Sequence, residues 1–327
     1  MRFTLSPEQR DFAASIDDLL ANADTPTVVR AWANGEHEPG LRLWRRLADL
    51  GVTALAVPDA HGGLGASAVD LTVAIEALGR HAVPGPVVES IAALPVLLAD
   101  SGHTKWLAEL GSGDRIGTLA WPPHVPYAVD ADVADVRVCV ADGTLRKFVP
   151  GASMSSVDGT RQLSEVAAGD AIGPAQADRS WSYGVLACGA QLLGAGRRLL
   201  EMSVDYATQR SQYGNPIGGY QAIKHLLADA VTQLELARPL LYGAAVSLDT
   251  GSPSVARDVS AARVACADAA YLTARTALQV HGAIGYTAEH DLSLWLTKVR
   301  ALRSAWGTQA WHREQVLTAL TSERGAA

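Results

Sequence analysis

The sequence predicts a mainly helical protein built around a small central β-sheet. Three observations lead there. Helix-period apolar patterns fill the first third of the 327 residues, β-type runs are confined to about 115–170, and the last part carries long alanine-rich helical patterns with short connections. The expected division is an amino-terminal helical domain over 1–112, a shortened middle β-region over 113–172 and a carboxy-terminal long-helix bundle over 173–327.

The first helix opens at Ser6, a capping side chain, with Pro7 at the first helical position and Gln9 three residues after the cap. Phe12, Ile16, Leu19 and Leu20 then share one face. The stretch Gly35–Gly40 reads as a loop. A second helix is expected over 41–50, with Leu43, Leu47 and Leu50 at helical spacing and Gly51 as its stop. A third, over Ser67–Leu78, turns Leu71, Ile75 and Leu78 inward, and helical pattern continues over Val88–Leu110. The middle offers the strand-like runs RIGTLAW, DVRVCVAD and LRKFVP, with a turn at Asp142-Gly143. Helical periodicity returns over Ser180–Arg210, Ala222–Leu248, Ala256–Val280 and 291–320, a four-helix bundle. A thirty-residue helix is about 45 Å long. Helices of that length often bury a further face between subunits, so oligomerisation is expected.

Composition excludes several classes. The chain has 27 basic and 34 acidic residues, net −7, which offers nucleic acid no electrostatic footprint. No apolar run approaches the roughly 18 residues of a membrane span, and the first residues lack a secretory pattern, so a cytoplasmic protein is expected. Cys139, Cys188 and Cys266 are far apart, with neither metal-ligand spacing nor a disulfide framework; all three read as core residues.

Two connections between the long helices stand out. In RSQYGNPIGGYQAIKH, from Arg210, a glycine- and proline-rich loop is flanked by side chains with planar ends. Arg210 suits forked pairing with a phosphate, Gln212 and Gln221 both donate and accept, and Tyr213 offers a stacking face. In QVHGAIGYTAEHD, from Gln279, Gly282 and Gly285 open room for close approach of a ligand or a backbone. A plain helix–helix turn is the alternative for each taken alone.

These residues carry a resemblance. Arg210-x-x-Tyr213-Gly214-x-x-Ile217-x-x-x-Gln221 resembles the R-x-x-[FY]-G-x-x-[IL]-x-x-x-Q pattern of the acyl-CoA dehydrogenase family, and Gln279-x-x-Gly282-Ala283-x-Gly285-Tyr286 resembles its Q-x-x-G-G-x-G-[FY]. Upstream, Val57-Pro58-Asp59-Ala60-His61-Gly62-Gly63-Leu64-Gly65 is similar to V-P-E-x-Y-G-G-L-G. The resemblance implies an acyl-CoA dehydrogenase-like fold and FAD-dependent α,β-dehydrogenation of an acyl-CoA thioester. A carboxylate takes the α-proton while the β-hydride moves to the flavin, which an electron-transfer flavoprotein then reoxidises. It further implies that Arg210, Gln212, Tyr213, Gln221, Gln279, Gly282 and Ala283 reach FAD held mainly by a neighbouring subunit. Ala283 stands where the family has its second glycine.

Two departures qualify this. The family's catalytic glutamate precedes Gly-Thr, and here Trp306 precedes Gly307-Thr308. The family's alternative glutamate position falls at about Gly184, and neither Tyr183 nor Val185 is a carboxylate. Glu289, Asp291 and Glu314 read as solvated charges, and Asp178 is the remaining candidate for a displaced base. The middle region is about half the family's length, and Leu119-Ala120-Trp121-Pro122-Pro123 replaces the hydroxyl-rich segment that holds the flavin ring and pyrophosphate. The expectation is a subunit without its own catalytic residue, shared with a longer acyl-CoA dehydrogenase homologue. The alternatives are a self-sufficient homomer with a displaced base and a flavin-free assembly scaffold.

Overall fold

The computed structural model describes residues 4–325. The capping box at Ser6 and Gln9 opens α1 (Pro7–Ala21), with each side chain bonded to the other residue's backbone N–H. A helix that the periodicity does not announce follows, α2 (Thr25–Ala33). It starts after Asp24 in a left-handed conformation and buries Val28, Val29 and Trp32. The expected loop to Gly40 is shorter than the sequence suggests. Gly40 lies inside α3 (Glu38–Asp49), where the Trp32 ring leaves no room for a side chain. The Val57–Gly65 segment is a tight turn in which a methyl group at Gly63 overlaps the Val57 carbonyl. A second capping box, Ser67 with Asp70, opens α4 (Ala68–Arg80).

The expected pattern over 88–110 is broken into a π-helical segment Val88–Ala93, α5 (Leu94–Asp100), a short 3-10 turn and α6 (Leu107–Gly111). The middle region forms one five-stranded mixed sheet. Strands β1 (Gly117–Ala120), β2 (Ala128–Val129), β3 (Val136–Ala141), β4 (Thr144–Met154) and β5 (Leu163–Pro174) lie in the order β1-β3-β4-β5-β2. The pair β1–β3 is parallel and the other pairs are antiparallel. Across the remaining gap the Thr118 hydroxyl donates to the Val129 carbonyl (2.7 Å).

The carboxy-terminal part is α7 (Asp178–Gln209), α8 (Gln221–Asp249) and α9 (Val255–His281), followed by α10 (Leu292–Leu302) and α11 (Gln309–Gly325). The single fourth helix expected over 291–320 is therefore two. Trp306 (φ +54°) and Gly307 (φ +93°) take left-handed conformations that no α-helix tolerates. The space beside glycines of α7 is filled by neighbours. Gly194 packs on the Glu76 carbonyl of α4, and Gly196 on Leu234 and Ala270. The Asp158–Lys298 ion pair (3.1 Å), buried and joined by Thr160, ties the middle region to α10. Among the described residues no helix is long and apolar enough to cross a membrane, no cluster suits a metal, and the three cysteines are buried and unpaired.

Candidate functional site

Helices α7, α8 and α9 run up, down and up, so the end of α7, the start of α8 and the end of α9 share one end of the bundle. Tyr206 stacked on His281 (centroids 4.4 Å) joins α7 to α9 there. The 210–221 connection is a two-residue hairpin. Ser211–Gln212 pairs with Asn215–Pro216 around Tyr213 (φ +51°) and Gly214 (φ +82°), and the Tyr220 hydroxyl donates to the Gln212 carbonyl (2.8 Å). Tyr213 at its tip is 94% exposed. Gln221 opens α8, Gln279 lies in the last turn of α9, and Gly282 (φ +62°) closes that helix with open space around it, followed by exposed Ala283. The structure thus brings the motif residues to one exposed end. The side chains of Arg210, Gln212, Gln221 and Gln279 have no hydrogen-bond or ion-pair partner among the described residues.

The other end is built differently. A cleft of about 850 Å³ lies between the sheet region and the α10–α11 junction. Its floor holds Trp306 and Glu89, which are 1% and 0% exposed. The indole N–H of Trp306 donates to Glu89 Oε1 (3.0 Å), and Glu89 Oε2 is buried without a hydrogen-bond partner. A methyl group at Gly184 overlaps the Trp306 ring. One indole therefore stands at the first expected base position and fills the space above the second. Trp181, packed on Trp306 (5.5 Å), Trp121 (5.4 Å), His124 and Trp311, extends the aromatic cluster. Trp121 is half-buried in this cluster, beyond the end of β1 rather than inside the sheet.

The junction that presents Trp306 is held from below. Arg263, buried in α9, donates through Nη2 to the carbonyls of Leu302 (2.7 Å), Arg303 (3.2 Å) and Ala305 (2.9 Å). His312 Nε2 donates to the Trp306 carbonyl (2.8 Å), which fixes the tautomer because a carbonyl only accepts. Burial pushes His312 down to about 4, so its ring is neutral at pH 7. Beside the cleft, burial raises Asp130 to about 7.

The other carboxylates considered from the sequence lie elsewhere. Asp178 is exposed at the start of α7 and lines a neighbouring pocket with Trp121 and Trp181. Asp291 pairs with Arg30 (2.6 Å), and both it and Glu289 lie near the hairpin end. Glu314 is exposed on α11.

The sequence profile described as "Acyl-CoA dehydrogenase, C-terminal domain" matches residues 173–321, and the corresponding N-terminal domain profile matches 6–114. The acyl-CoA dehydrogenase IpdE2 of Mycobacterium tuberculosis is 31% identical over 301 residues, which cover 89% of this chain and 91% of that protein. This chain belongs to the acyl-CoA dehydrogenase family. Among solved structures, butyryl-CoA dehydrogenase from Megasphaera elsdenii superposes with a TM-score of 0.84 at 22% identity, over 98% of this chain and 100% of the other. The ChsE4–ChsE5 complex from M. tuberculosis gives 0.78 at 22% identity, over 98% of this chain and 99% of that one. Both likenesses are of fold.

Within this acyl-CoA dehydrogenase fold, the loop after β1 has little to offer an anion. Trp121 and Val125 commit their N–H groups to each other's carbonyls, and Pro122, Pro123 and Pro126 have none. That leaves His124 with the one uncommitted backbone N–H between 121 and 126. Sequence reasoning singled out Trp306 and Gly184 but not Glu89, Arg161, Arg263 or His312. The available signal for Glu89 was a lone acid inside the apolar run from Val87 to Leu98.

Proposed function

We propose that this chain is the catalytically incomplete subunit of a heteromeric, FAD-dependent acyl-CoA dehydrogenase. The observation that carries the reading is Trp306. An indole has no basic lone pair, and this one leaves no space for a carboxylate at Gly184 either. A longer homologue is the partner that supplies the base and the flavin-ring cradle, and an electron-transfer flavoprotein is the acceptor. That the ChsE4–ChsE5 structure, similar in fold, is a complex supports a heteromeric reading.

The chain's own residues fit one half of FAD. At the hairpin end, exposed Arg210 offers a forked donor for a phosphate, Gln212, Gln221 and Gln279 offer amides, Tyr213 offers a ring face, and Gly282 lets the cofactor approach the backbone, with Ala283 beside it. At the other end the loop after β1 offers the flavin ring one uncommitted backbone N–H and Trp306 fills the floor of the cleft, so the ring does not fit there. From Gly184 to Arg210 is 26 residues of one helix, about 39 Å, more than one dinucleotide spans. The hairpin end therefore serves a FAD whose ring lies in the neighbouring subunit. When bound, that FAD accepts the β-hydride of the acyl-CoA; this chain would grip its nucleotide.

Native mass spectrometry of the purified assembly tests this. Two kinds of subunit and fewer flavins than chains are expected, and Arg210→Ala with Gln279→Ala lowers flavin retention without separating the subunits. A homomer that binds one FAD per chain and oxidises acyl-CoAs sinks the proposal. Flavin retention unchanged in the double variant transfers support to the assembly-scaffold reading.

A further inference from the structure

The cleft that does not fit flavin nevertheless has a built polar anchor. Arg161, on the segment between β4 and β5, faces into it and is 7% exposed. No carboxylate, carbonyl or hydroxyl among the described residues meets its guanidinium. A buried cation without a partner is costly, and proteins keep one where a ligand anion completes it. Asp130 and Asp158 feel its charge and Glu89 lines the same cleft, but among the described residues none of them is within ion-pair distance of it. Asp158 is bound to Lys298 and to the Thr160 hydroxyl, and Asp130 holds its proton up to about 7. Arg300, exposed and without a hydrogen-bond or ion-pair partner among the described residues, adds positive charge along the cleft in a chain whose net charge is −7, whereas Arg303 is held by Asp268 (3.7 Å) and Tyr271.

The rest of the lining sets the shape of the occupant. Val125, Pro126 and Leu163 form one wall, Ala301 and Ala305 the other, and the Trp306 ring the floor. A cleft of about 850 Å³ is within the range that takes a drug-sized molecule. The cleft also holds the Glu89 carboxylate on its floor and polar side chains from Tyr127, Ser156 and Gln309, so a planar monoanion is matched only with its charge in a forked pair with Arg161 and away from Glu89, and with a flat hydrocarbon body against the apolar part of the lining.

We propose that this cleft is a ligand site in its own right, binding a carboxylate with a flat, aromatic or fused-ring body through Arg161. The proposal does not depend on the hairpin end or on the identity of the partner subunit.

The test uses the full-length chain in whatever assembly it purifies. The probes are 2-naphthoate, its neutral analogue 2-naphthamide, inorganic phosphate and FAD, followed by calorimetry and by quenching of tryptophan fluorescence. One naphthoate per chain is expected, bound roughly tenfold to a hundredfold tighter than the amide, the usual contribution of a hydrogen bond to a charged group. Arg161→Gln abolishes that preference and leaves the amide's affinity unchanged; Arg161→Lys, with charge but no fork, keeps part of it. Equal affinity for naphthoate and naphthamide on the unaltered protein overturns the proposal without any variant. A preference that survives Arg161→Gln overturns it as well. Phosphate binding as tightly as naphthoate refutes the apolar body. Stoichiometric displacement of naphthoate by FAD makes the cleft a flavin site and overturns this inference together with the reading of an incomplete subunit, whereas the other adverse outcomes leave that reading intact.

Discussion

The two ends of the long-helix bundle carry opposite chemistry on the same three helices. Where α7 closes, Arg210, Gln212, Gln221 and Gln279 stand in solvent, their side chains without a partner among the described residues. Where α7 opens, polar groups are committed to one another: the Trp306 N–H to Glu89, its carbonyl to His312, and Arg263 to the carbonyls that end α10. Water satisfies the first set at little cost, so the fold does not depend on those side chains. The second set is desolvated, and each member stabilises the fold only while its neighbours remain. Substitutions should therefore move stability at the Trp306 end and cofactor grip at the hairpin end, with little crossover.

The largest effect is expected at Trp306. Trp306→Ala leaves a ring-sized cavity and removes the one hydrogen-bond donor that the buried Glu89 carboxylate has among the described residues. A loss of about 3–5 kcal/mol in urea unfolding is expected, with flavin retention per assembled complex unchanged. A loss below about 1 kcal/mol means the junction tolerates an empty site, and the contrast between the ends fails.

Gly184 comes next. Gly184→Ala forces its methyl group against the Trp306 ring and is expected to cost about 1–3 kcal/mol. In the Trp306→Ala background the same change becomes nearly neutral, because the methyl group enters the cavity. A double-mutant cycle with no coupling rejects the claim that one indole fills both positions.

The pH dependence of the Trp306 end combines two opposed groups. His312 is held at about 4 against 6.5 in the unfolded chain, so as pH falls from about 6.5 to 4 the unfolded state takes up a proton that the folded state refuses, and stability drops. Asp130 is held at about 7 against 3.8, so as pH rises from about 4 to 7 the unfolded state releases a proton that the folded state keeps, and stability drops in that direction. Over pH 4–6.5 the two slopes, each about 1.4 kcal/mol per pH unit at most, nearly cancel. Asp130→Asn is expected to unmask the histidine slope, with unfolding free energy decreasing toward acid. A profile with the slope of the unaltered protein removes His312 from the account.

What the sequence discloses divides along similar lines. The capping box at Ser6 and the periodicity of α7, α8 and α9 depend on residues within a few positions of each other, and they read correctly. The hairpin residues Arg210–Gln221 are also local, so their order along the chain marked them for attention. Trp306 and Gly184 were individually visible, but their contact joins residues 122 apart, and no spacing rule reports it. Helix α2 escaped because its start, Asp24, depends on a left-handed backbone rather than on a capping side chain. The break between α10 and α11 escaped because Trp306 is apolar and continues the helical pattern, and only its backbone, held by Arg263 and His312, ends the helix.

The smallest stability effect, and the one that best separates the ends, belongs to Tyr213. Its backbone is left-handed (φ +51°) and its ring is 94% exposed, so inside the chain the side chain contributes little and the conformation is strained. Glycine adopts that conformation without strain but is more flexible in the unfolded chain, and the two effects oppose. Tyr213→Gly is therefore expected to leave unfolding free energy within about 0.5 kcal/mol of the parent. The same change removes the stacking face at the hairpin tip and should release flavin from the purified assembly more readily, read as the flavin-to-protein absorbance ratio after dialysis. A ligand outside the chain is the role proposed for this strained, exposed ring. If Tyr213→Gly holds its flavin as the parent does, the hairpin is only a turn, and the exposed end loses its claim to function.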